Sequence, residues 1–261
     1  MYALVDACAW PSEAFWRSFE LEAVRRHRFR RPILELGCGN GRFVELAALR
    51  IDEAIDLNPR AVERARQLPH VYARVRHADI RELRADASPR FACVFANSVL
   101  EHVPDLDRVL AACHELLEPE GELVTTVPLA EMDRHLLVRR PWYARLRARR
   151  LEHRNLWSAS QWADALRRAG FDEVASYPYL DGPACRAWDV LDLAGSLGRG
   201  RWRIGVGLRK IASWVLPAQA KPPLKRWIAR ALARRRRRFE SSGIDDPCAT
   251  LLVAVKRASR D

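Results

Sequence analysis

The feature that most constrains the fold is a short apolar run that ends in a cluster of glycines. Residues 33–36 read Ile-Leu-Glu-Leu, and Gly37, Gly39 and Gly41 follow before a helical pattern begins. A strand that passes through a glycine turn into a helix lets the backbone approach a ligand closely and offers free N–H groups at the start of the helix. The spacing differs from the G-x-G-x-x-G of nicotinamide-binding proteins, because Arg42 occupies the position of the third glycine.

Short apolar segments alternate with helical patterns along the rest of the chain. The predicted strands are 33–36, 51–57, 71–77, 91–96, 122–127, 171–177 and 250–255. Predicted helices include 12–28, 43–49, 59–68, 105–117 and 158–169. Strands separated by helices predict an α/β fold with a parallel, doubly wound sheet and right-handed crossovers.

Two stretches do not follow this alternation, residues 129–157 and residues 181–247. A chain of 261 residues is long enough to bury one large core. We therefore expect a single domain over 1–261, with a core formed by 30–180 and 248–257. The two irregular stretches are predicted to be helical insertions that form a cap facing a substrate or a membrane.

Carboxylates end two of the predicted strands. Asp56 ends the second strand, 19 positions after Gly37, and Asp79 follows the third. A carboxylate at the first position can accept hydrogen bonds from both hydroxyls of a ribose. A carboxylate at the second can accept a hydrogen bond from the exocyclic amine of an adenine ring. Each residue alone could simply cap a strand, but their order after the glycine turn favours a nucleoside site.

In these segments the chain resembles the class I S-adenosylmethionine-dependent methyltransferases. The matching motifs, in order, are ILELGCGNGRF (33–43), AIDLNPRAVERAR (54–66), HADI (77–80), FACVFANSVLEHVPDLDRVL (91–110) and LLEPEGELVTTVP (116–128). The resemblance covers about residues 30–180 and the last strand. It is greatest to the branch of small-molecule enzymes that includes those of ubiquinone and menaquinone biosynthesis.

The resemblance implies a mostly parallel, seven-stranded, Rossmann-like sheet with a reversed last hairpin and S-adenosyl-L-methionine as the cofactor. It also implies which residues contact the methyl donor. These are Glu35, Gly37, Gly39 and Gly41 around the methionine part, Asp56 and Leu57 at the ribose, Asp79 and Ile80 at the adenine, and Asn97 and Ser98 lining the pocket. We expect no metal site.

Methyl transfer from a sulfonium needs alignment of donor and acceptor and exclusion of water rather than a nucleophilic residue. If the acceptor is a hydroxyl, a general base assists the loss of its proton. The candidates are His102, just after the fourth strand, and His153, at the end of the first insertion. The alternatives are that His102 is a buried packing partner of the next helix and that His153 is a solvated loop residue.

The net charge of +12 is concentrated in one segment. Residues 199–239 contain 14 Lys and Arg and no acidic residue, which leaves 31 basic and 33 acidic residues elsewhere. Residues 134–150 add seven Arg without an acid. Such segments attract polyanions, which include acidic lipid headgroups and nucleic acids, although a solvated helical face would have the same composition.

Apolar residues in the second insertion recur at helical spacing. Ile204, Leu208, Ile211 and Val215 form one stripe, and Leu224, Trp227, Ile228, Ala231 and Leu232 a second. With Trp202 and Trp214 nearby, basic amphipathic helices of this kind are typical of a membrane interface. The alternatives are a nucleic-acid groove and a lid that packs on the core. A phosphate groove needs charge but no apolar face, so nucleic acid is disfavoured.

The resemblance implies a methyltransferase, and the basic amphipathic segments favour a small-molecule, hydrophobic or lipid-linked acceptor, methylated on oxygen or carbon. The alternatives are an RNA-modifying methyltransferase and a donor-binding module without catalysis. No apolar stretch approaches the roughly 18 residues of a membrane span, and the first residues lack the pattern of a signal peptide. Six scattered cysteines without a C-x-x-C pair fit a reducing compartment. We therefore expect a cytoplasmic protein that can associate peripherally with an anionic membrane surface.

Overall fold

The computed structural model describes residues 1–8, 10–83, 91–196, 221–237, 239 and 244–258. Seven strands form one sheet at its centre. They are β1 (Ile33–Leu36), β2 (Ile51–Asp56), β3 (Tyr72–His77), β4 (Phe91–Asn97), β5 (Leu117–Pro128), β6 (Glu173–Asp181) and β7 (Pro247–Val255). Their order across the sheet is β3-β2-β1-β4-β5-β7-β6. The first five are parallel, and β7 is antiparallel to both of its neighbours.

Helices surround the sheet. Those in the described residues are α1 (Tyr2–Ala7), α2 (Pro11–Arg26), α3 (Arg42–Ala47), α4 (Pro59–Arg66), α5 (Leu106–Leu116), α6 (Met132–His135), α7 (Pro141–Leu151), α8 (Ala159–Arg168), α9 (Gly182–Ser196) and α10 (Lys221–Arg237). This arrangement confirms the predicted α/β fold with a mostly parallel, seven-stranded sheet. The reversed final hairpin implied by the resemblance is present as well.

The last two strands are longer than the sequence predicts. Strand β6 extends to Asp181 and β7 begins at Pro247, and these two residues are paired across the hairpin. The alternation of apolar and polar side chains does not predict this extension. The reason is that Pro178 and the register shift beside Leu180 interrupt the regular pairing of β6 with β7. Backbone pairing between neighbours therefore extends the strands beyond the apolar segments that predicted them.

The central strands are buried on both faces, which is why they read as continuous apolar runs. On β4, Cys93 and Phe95 pack into the cluster beneath α2, whereas Val94 and Ala96 pack into the cluster beneath α5 and α8. The carboxyl ends of β1, β2 and β4 lie at one edge of the sheet because these strands are parallel neighbours. That edge is where a doubly wound sheet binds its ligands.

The first insertion is fixed to the second by a buried ionic cluster. The Arg147 side chain on α7 is 2% exposed, and its Nε lies 2.8 Å from Asp189 Oδ1 on α9. It also donates a hydrogen bond of 2.7 Å to Asp192, and its guanidinium lies 4.9 Å from the centroid of the Trp188 ring. The Tyr143 hydroxyl also donates to Asp189, over 3.0 Å. Helix α7 is thereby held at a defined position on α9 by charges that are paired within the protein.

The predicted stripe over residues 224–232 is only partly correct. Leu232 is buried and Ile228 packs against the core, but Leu224 and Trp227 are 41% and 62% exposed. The reason is that α10 docks on α1 and α2, where Arg236 pairs with Glu22, so that only one side of the stripe faces the protein. Ile204, Leu208, Ile211, Val215, Trp202 and Trp214 lie outside the described residues. No described helix is both long and apolar enough to span a bilayer.

Candidate functional site

The glycine loop leaves the carboxyl end of β1 in a conformation that suits glycine. Gly39 and Gly41 have φ angles of +55° and +73°. A Cβ at Gly41 would lie 2.8 Å from Leu68 and Tyr72, so this glycine is required for packing. A Cβ at Gly39 would meet no atom within 4 Å, so Gly39 faces open space. The loop therefore presents bare backbone to a cavity at Gly39.

Asp56 holds this loop from the end of β2. Its Oδ2 accepts a hydrogen bond of 2.8 Å from the Gly39 backbone N–H. Its Oδ1 accepts one of 2.8 Å from the Asn58 backbone N–H. Each carboxylate oxygen has a second lone pair, so both can still accept a hydrogen bond from a ligand hydroxyl. The residue predicted to bind ribose is thus already oriented by the backbone.

Glu35 lies beneath the same loop with an unsatisfied oxygen. The side chain is buried, and Oε2 has no hydrogen-bond partner among the described residues. Burial raises the pKa of Glu35 to about 8. The residue lines a cavity of about 120 Å³ together with Gly37, Gly39 and Asn97. A buried polar atom without a partner beside a bare backbone is what a polar methionine group would complete, so the residues fit the implied donor.

A larger cavity of about 880 Å³ continues from this loop along the carboxyl ends of β2 and β3. Asp56, Leu57, Asp79 and Ile80 all line it. Asp79 accepts hydrogen bonds from the Arg81 side chain of 3.0 Å to Oδ1 and 2.9 Å to Oδ2. These bonds hold the pKa of Asp79 below its ordinary value. An adenine amine would therefore share this carboxylate with Arg81.

Asn97 and Ser98 end β4 in a buried network. Ser98 has a φ of +50°, and its hydroxyl donates a hydrogen bond of 2.6 Å to Glu20. The Thr126 hydroxyl donates to Glu20 over 2.7 Å, and its oxygen lies 3.1 Å from Asn97 Oδ1. Glu20 is also paired with Arg17, over 2.5 Å. Arg17 and Glu20 could not be identified from the sequence, because no motif marks the polar residues of α2 that turn toward the sheet.

The two candidate histidines come together beside this network. Their ring centroids are 5.4 Å apart. The Glu101 carbonyl accepts hydrogen bonds from the backbone N–H groups of Arg154 and Asn155, over 2.8 and 3.0 Å, which joins their two loops. His102 Nδ1 lies 3.1 Å from the Glu152 carbonyl oxygen. The two histidines are therefore neighbours because their loops are joined. Their spacing in the sequence does not indicate this contact.

The environments of the histidines differ from both alternatives considered above. The His102 side chain is 41% exposed, so it is not a buried packing partner. His153 is half-buried, and its Nδ1 is buried without a partner among the described residues, so it is not a solvated loop residue. Burial lowers the pKa of His153 to about 4, with smaller contributions from His102 and Arg147. At neutral pH its imidazole is therefore uncharged.

A third cavity, of about 310 Å³, opens on the other side of the histidines. Trp10, Trp16 and Trp188 line it. Trp16 and Trp188 pack edge to face, with ring centroids 5.1 Å apart. These tryptophans could not be grouped from the sequence, since they come from the start of α2 and from α9, far apart in the chain. This tryptophan pocket is large enough for a substituted single ring.

The donor-side cavity and the tryptophan pocket share a wall. Ser98, His102 and His153 line both of them. Groups bound in the two cavities would therefore meet at this wall, which is the arrangement that transfer between two bound molecules requires.

The sequence comparisons all identify methyltransferases as the proteins that this chain is similar to. The family model of a methyltransferase domain matches residues 13–176. The chain is 39% identical over 98 residues to the ubiquinone biosynthesis O-methyltransferase of Azotobacter vinelandii, covering 36% of this chain and 42% of that protein. It is 31% identical over 191 residues to the trans-aconitate 2-methyltransferase of Methylobacterium nodulans, covering 68% of each. The chain thus spans less than half the length of the ubiquinone relative.

Solved structures share the fold. The phosphoethanolamine N-methyltransferase 2 of Haemonchus contortus has a TM-score of 0.58 at 16% identity, covering 93% of this chain and 53% of that one. An S-adenosylmethionine-dependent methyltransferase from Mesorhizobium loti has a TM-score of 0.52 at 19% identity, covering 91% and 97%. At these identities the likeness concerns the fold alone.

Proposed function

The chain belongs to the class I S-adenosylmethionine-dependent methyltransferases, and from this premise we propose that it methylates an oxygen of a small, hydrophobic or lipid-linked acceptor. The observation that carries the proposal is the shared wall formed by Ser98, His102 and His153. It separates the cavity with the donor-binding candidates from the tryptophan pocket. When bound, the donor supplies a methyl group on a sulfonium, which is already activated for displacement.

We assign donor binding to the residues at the carboxyl edge of the sheet. The bare backbone at Gly39 and the unpartnered oxygen of Glu35 suit the methionine end. Asp56, oriented by its two backbone hydrogen bonds, suits the ribose, and Asp79 with Ile80 suits the adenine. Leu57, Asn97 and Ser98 are the remaining residues that we assign to the donor, as the family motifs imply.

An oxygen acceptor suits the histidine side of the wall. His102 Nδ1 is within hydrogen-bond distance of a carbonyl oxygen, which can only accept, so its proton resides on Nδ1. The lone pair is then on Nε2, which can accept the proton of an acceptor hydroxyl. His153 is uncharged at neutral pH, because burial lowers its pKa to about 4. It therefore places no positive charge beside the His102 ring.

The tryptophan pocket supports a hydrophobic acceptor. Its three indole rings provide apolar surface, and its volume of about 310 Å³ suits a ring rather than a long chain. A lipid-linked acceptor would therefore place its ring in the pocket and its tail outside. The name of the ubiquinone relative, an O-methyltransferase, supports an oxygen acceptor without identifying it.

We further propose that the basic segment 199–239 docks on an anionic membrane surface. In its described part, Leu224 and Trp227 are exposed on α10, and Arg234, Arg235 and Arg237 are exposed on the same helix. Exposed Trp and Leu beside arginines suit the interface of an acidic bilayer, where each basic residue contributes about 1 kcal/mol. Such docking would bring a lipid-linked acceptor close to the enzyme.

The test is methyl transfer from labelled S-adenosylmethionine into a fractionated lysate of the source organism. Label in the organic phase supports a lipid-linked or hydrophobic acceptor. Label in the RNA fraction would overturn that acceptor class in favour of an RNA-modifying enzyme. The matched control is Asp56→Ala, which is expected to remove donor binding and with it all label. Transfer into no fraction, despite donor binding, would favour a donor-binding module without catalysis.

For the membrane proposal, wild type and Trp227→Ser are compared for sedimentation with vesicles of acidic and of neutral phospholipid. We expect binding to acidic vesicles only, with at least a several-fold loss in the variant. A matched control is Trp142→Ser, which alters an exposed tryptophan of α7 instead. Equal binding of wild type and Trp227→Ser would contradict docking through α10.

A further inference from the structure

Three potential metal ligands converge at the shared wall. Glu101, His102 and His153 each offer one ligand atom, and these atoms lie within 4.8 Å of one another. Glu101 and His102 lie in a short turn after β4, whereas His153 lies in the loop that follows α7. Two imidazoles and one carboxylate form a donor set that binds divalent transition metals such as Zn²⁺, Mn²⁺ and Co²⁺.

Buried atoms of the cluster have no partner in the protein. Glu101 Oε2 and His153 Nδ1 are both buried, and neither has a hydrogen bond to any described residue. The Glu101 side chain is only 3% exposed, and its Oε1 lies 3.7 Å from His102 Nε2. That distance is longer than a hydrogen bond. The three side chains therefore lie close together but form no hydrogen bonds with one another. A buried carboxylate oxygen without a hydrogen-bond partner is energetically costly unless a ligand binds it.

The orientation of His102 suits a ligand. Its Nδ1 faces the Glu152 carbonyl oxygen at 3.1 Å, so Nε2 carries the lone pair and points to Glu101. Histidines that bind metals usually donate their other N–H to a carbonyl or carboxylate in this way. The guanidinium of Arg147 is neutralised by Asp189 and Asp192, and that of Arg17, which lines the tryptophan pocket with the cluster, is paired with Glu20.

The spacing needs a small adjustment. Two ligand atoms bound at about 2.1 Å from one ion lie at most about 4.2 Å apart. The limit of 4.8 Å is wider than this by well under 1 Å. His102 Nε2 and Glu101 Oε1, which are 3.7 Å apart, are already within this limit, so the adjustment falls on His153 in the loop that follows α7.

We propose that Glu101, His102 and His153 bind a divalent transition-metal ion that coordinates the acceptor oxygen. This replaces the expectation of no metal, and it rests on the proposed function because the ion would act on the acceptor in the tryptophan pocket. The coordinated hydroxyl gives its proton to solvent. The bond between oxygen and the methyl carbon then forms, while the bond between carbon and sulfur breaks and leaves its electron pair on sulfur. The two histidines serve as ligands in this case instead of accepting the proton.

The test is titration of the chelator-treated full-length protein with Co²⁺, followed by visible absorption, and with Zn²⁺, followed by calorimetry. We expect one ion per chain. Affinity should fall by at least 100-fold in His153→Ala and in Glu101→Gln. The matched control is His70→Ala, which removes an exposed histidine paired with Glu45 over 3.0 Å and should leave affinity unchanged.

Absence of stoichiometric binding, or equal affinity in wild type and His153→Ala, overturns the metal site. Circular dichroism and donor binding of each variant establish that a loss of metal does not reflect unfolding. The proposed function is judged separately by methyl transfer. Undiminished transfer after chelation, in a protein that binds no Co²⁺, removes the metal and leaves the methyltransferase assignment intact. Binding of Co²⁺ without transfer into any fraction would contradict the proposed acceptor chemistry instead.

Discussion

The backbone N–H of Gly39 donates a hydrogen bond of 2.8 Å to Asp56 Oδ2, which joins the glycine loop of β1 to the end of β2. The two residues that the motifs assign to different parts of the donor are thus mechanically linked. The carboxylate orients the loop, and the loop fixes the carboxylate. Loss of either is expected to affect the whole donor cavity.

Asp56→Ala should weaken donor binding by at least about 100-fold, because it removes both the loop contact and the ribose acceptor. Isothermal calorimetry with S-adenosylmethionine measures the change. The control is Asp52→Asn at the opposite end of β2, where Asp52 accepts a hydrogen bond from the Ile33 backbone N–H. That variant should be destabilised but retain its affinity. Unchanged affinity in Asp56→Ala would sink the ribose assignment.

Gly39→Ala and Gly41→Ala should separate binding from packing. Both positions have positive φ, so either alanine adds strain of order 1 kcal/mol. At Gly41 the new methyl group also collides with Leu68 and Tyr72, and we expect the larger loss of thermal stability there. At Gly39 the methyl group enters the open cavity, and donor affinity should fall more than stability does. Thermal melts and calorimetry on both variants measure these changes. A larger loss of stability in Gly39→Ala, or a larger loss of donor affinity in Gly41→Ala, would contradict the assignment of Gly39 to the donor site.

The buried Glu35 should make the stability of the donor-free protein depend on pH. Its pKa rises from 4.5 to about 8 on folding, so between these values the folded state binds more protons than the unfolded state. Stability contributed by the neutral form is therefore present below pH 4.5 and lost as pH rises toward 8, by at most about 1.4 kcal/mol per pH unit.

Glu35→Gln should make this decline of the melting temperature shallower, because glutamine does not ionise. The decline should not vanish, since burial also raises the pKa of Glu101 to about 8. Differential scanning calorimetry of both proteins across this pH range measures the effect. The same slope in wild type and variant would show that Glu35 is ionised in the folded state.

The sheet, and the placement of the candidate donor residues at one edge of it, were predictable from the sequence because local patterns encode them. The glycine turn, Asp56 and Asp79 each lie at a strand end, and parallel strands bring such ends to one edge. The tryptophan pocket was not predictable in this way. Trp16 and Trp188 meet only after α9 packs on α2, and no periodicity relates residues so far apart.

The histidine pair illustrates both cases. His102 could be singled out because it follows β4 within a recognised motif. His153 was a candidate, but its proximity to His102 depends on the hydrogen bonds between Glu101 and the loop that follows α7. The exposure of Trp227 could not be predicted for a similar reason. The sequence indicates an apolar face on its helix but does not indicate the surface on which that helix docks.

His102→Ala and His153→Ala should each lower kcat by about 100-fold or more, whether the rings accept the proton or bind a metal ion. Donor affinity should change little, since neither ring is assigned to the donor. Turnover with the acceptor identified from the lysate, and calorimetry with the donor, provide the two measurements. His70→Ala should behave as wild type. A variant with full turnover would remove that histidine from the mechanism.

The ion pairs of Arg147 with Asp189 and Asp192 join α7 to α9. Arg147→Met keeps much of the side-chain volume but leaves Asp189 buried without its guanidinium, whereas Asp192 keeps its ion pair with Arg150 over 2.9 Å. Loss of one partner of a buried ion pair costs about 3–5 kcal/mol. The exposed pair of Arg167 and Asp164 contributes far less, so Arg167→Met is the matched control.

We expect chemical denaturation to show this loss in Arg147→Met only. Because the end of α7 carries His153 into the site, kcat should fall with stability while donor affinity is retained. Asp189→Asn combined with Arg147→Met should recover part of the stability, since the uncompensated charge is then removed. If stability recovers but kcat does not, the ion pair of Arg147 and Asp189 positions His153 in addition to anchoring α7. Stability equal to wild type in Arg147→Met alone would contradict the assignment of this cluster as the anchor of α7.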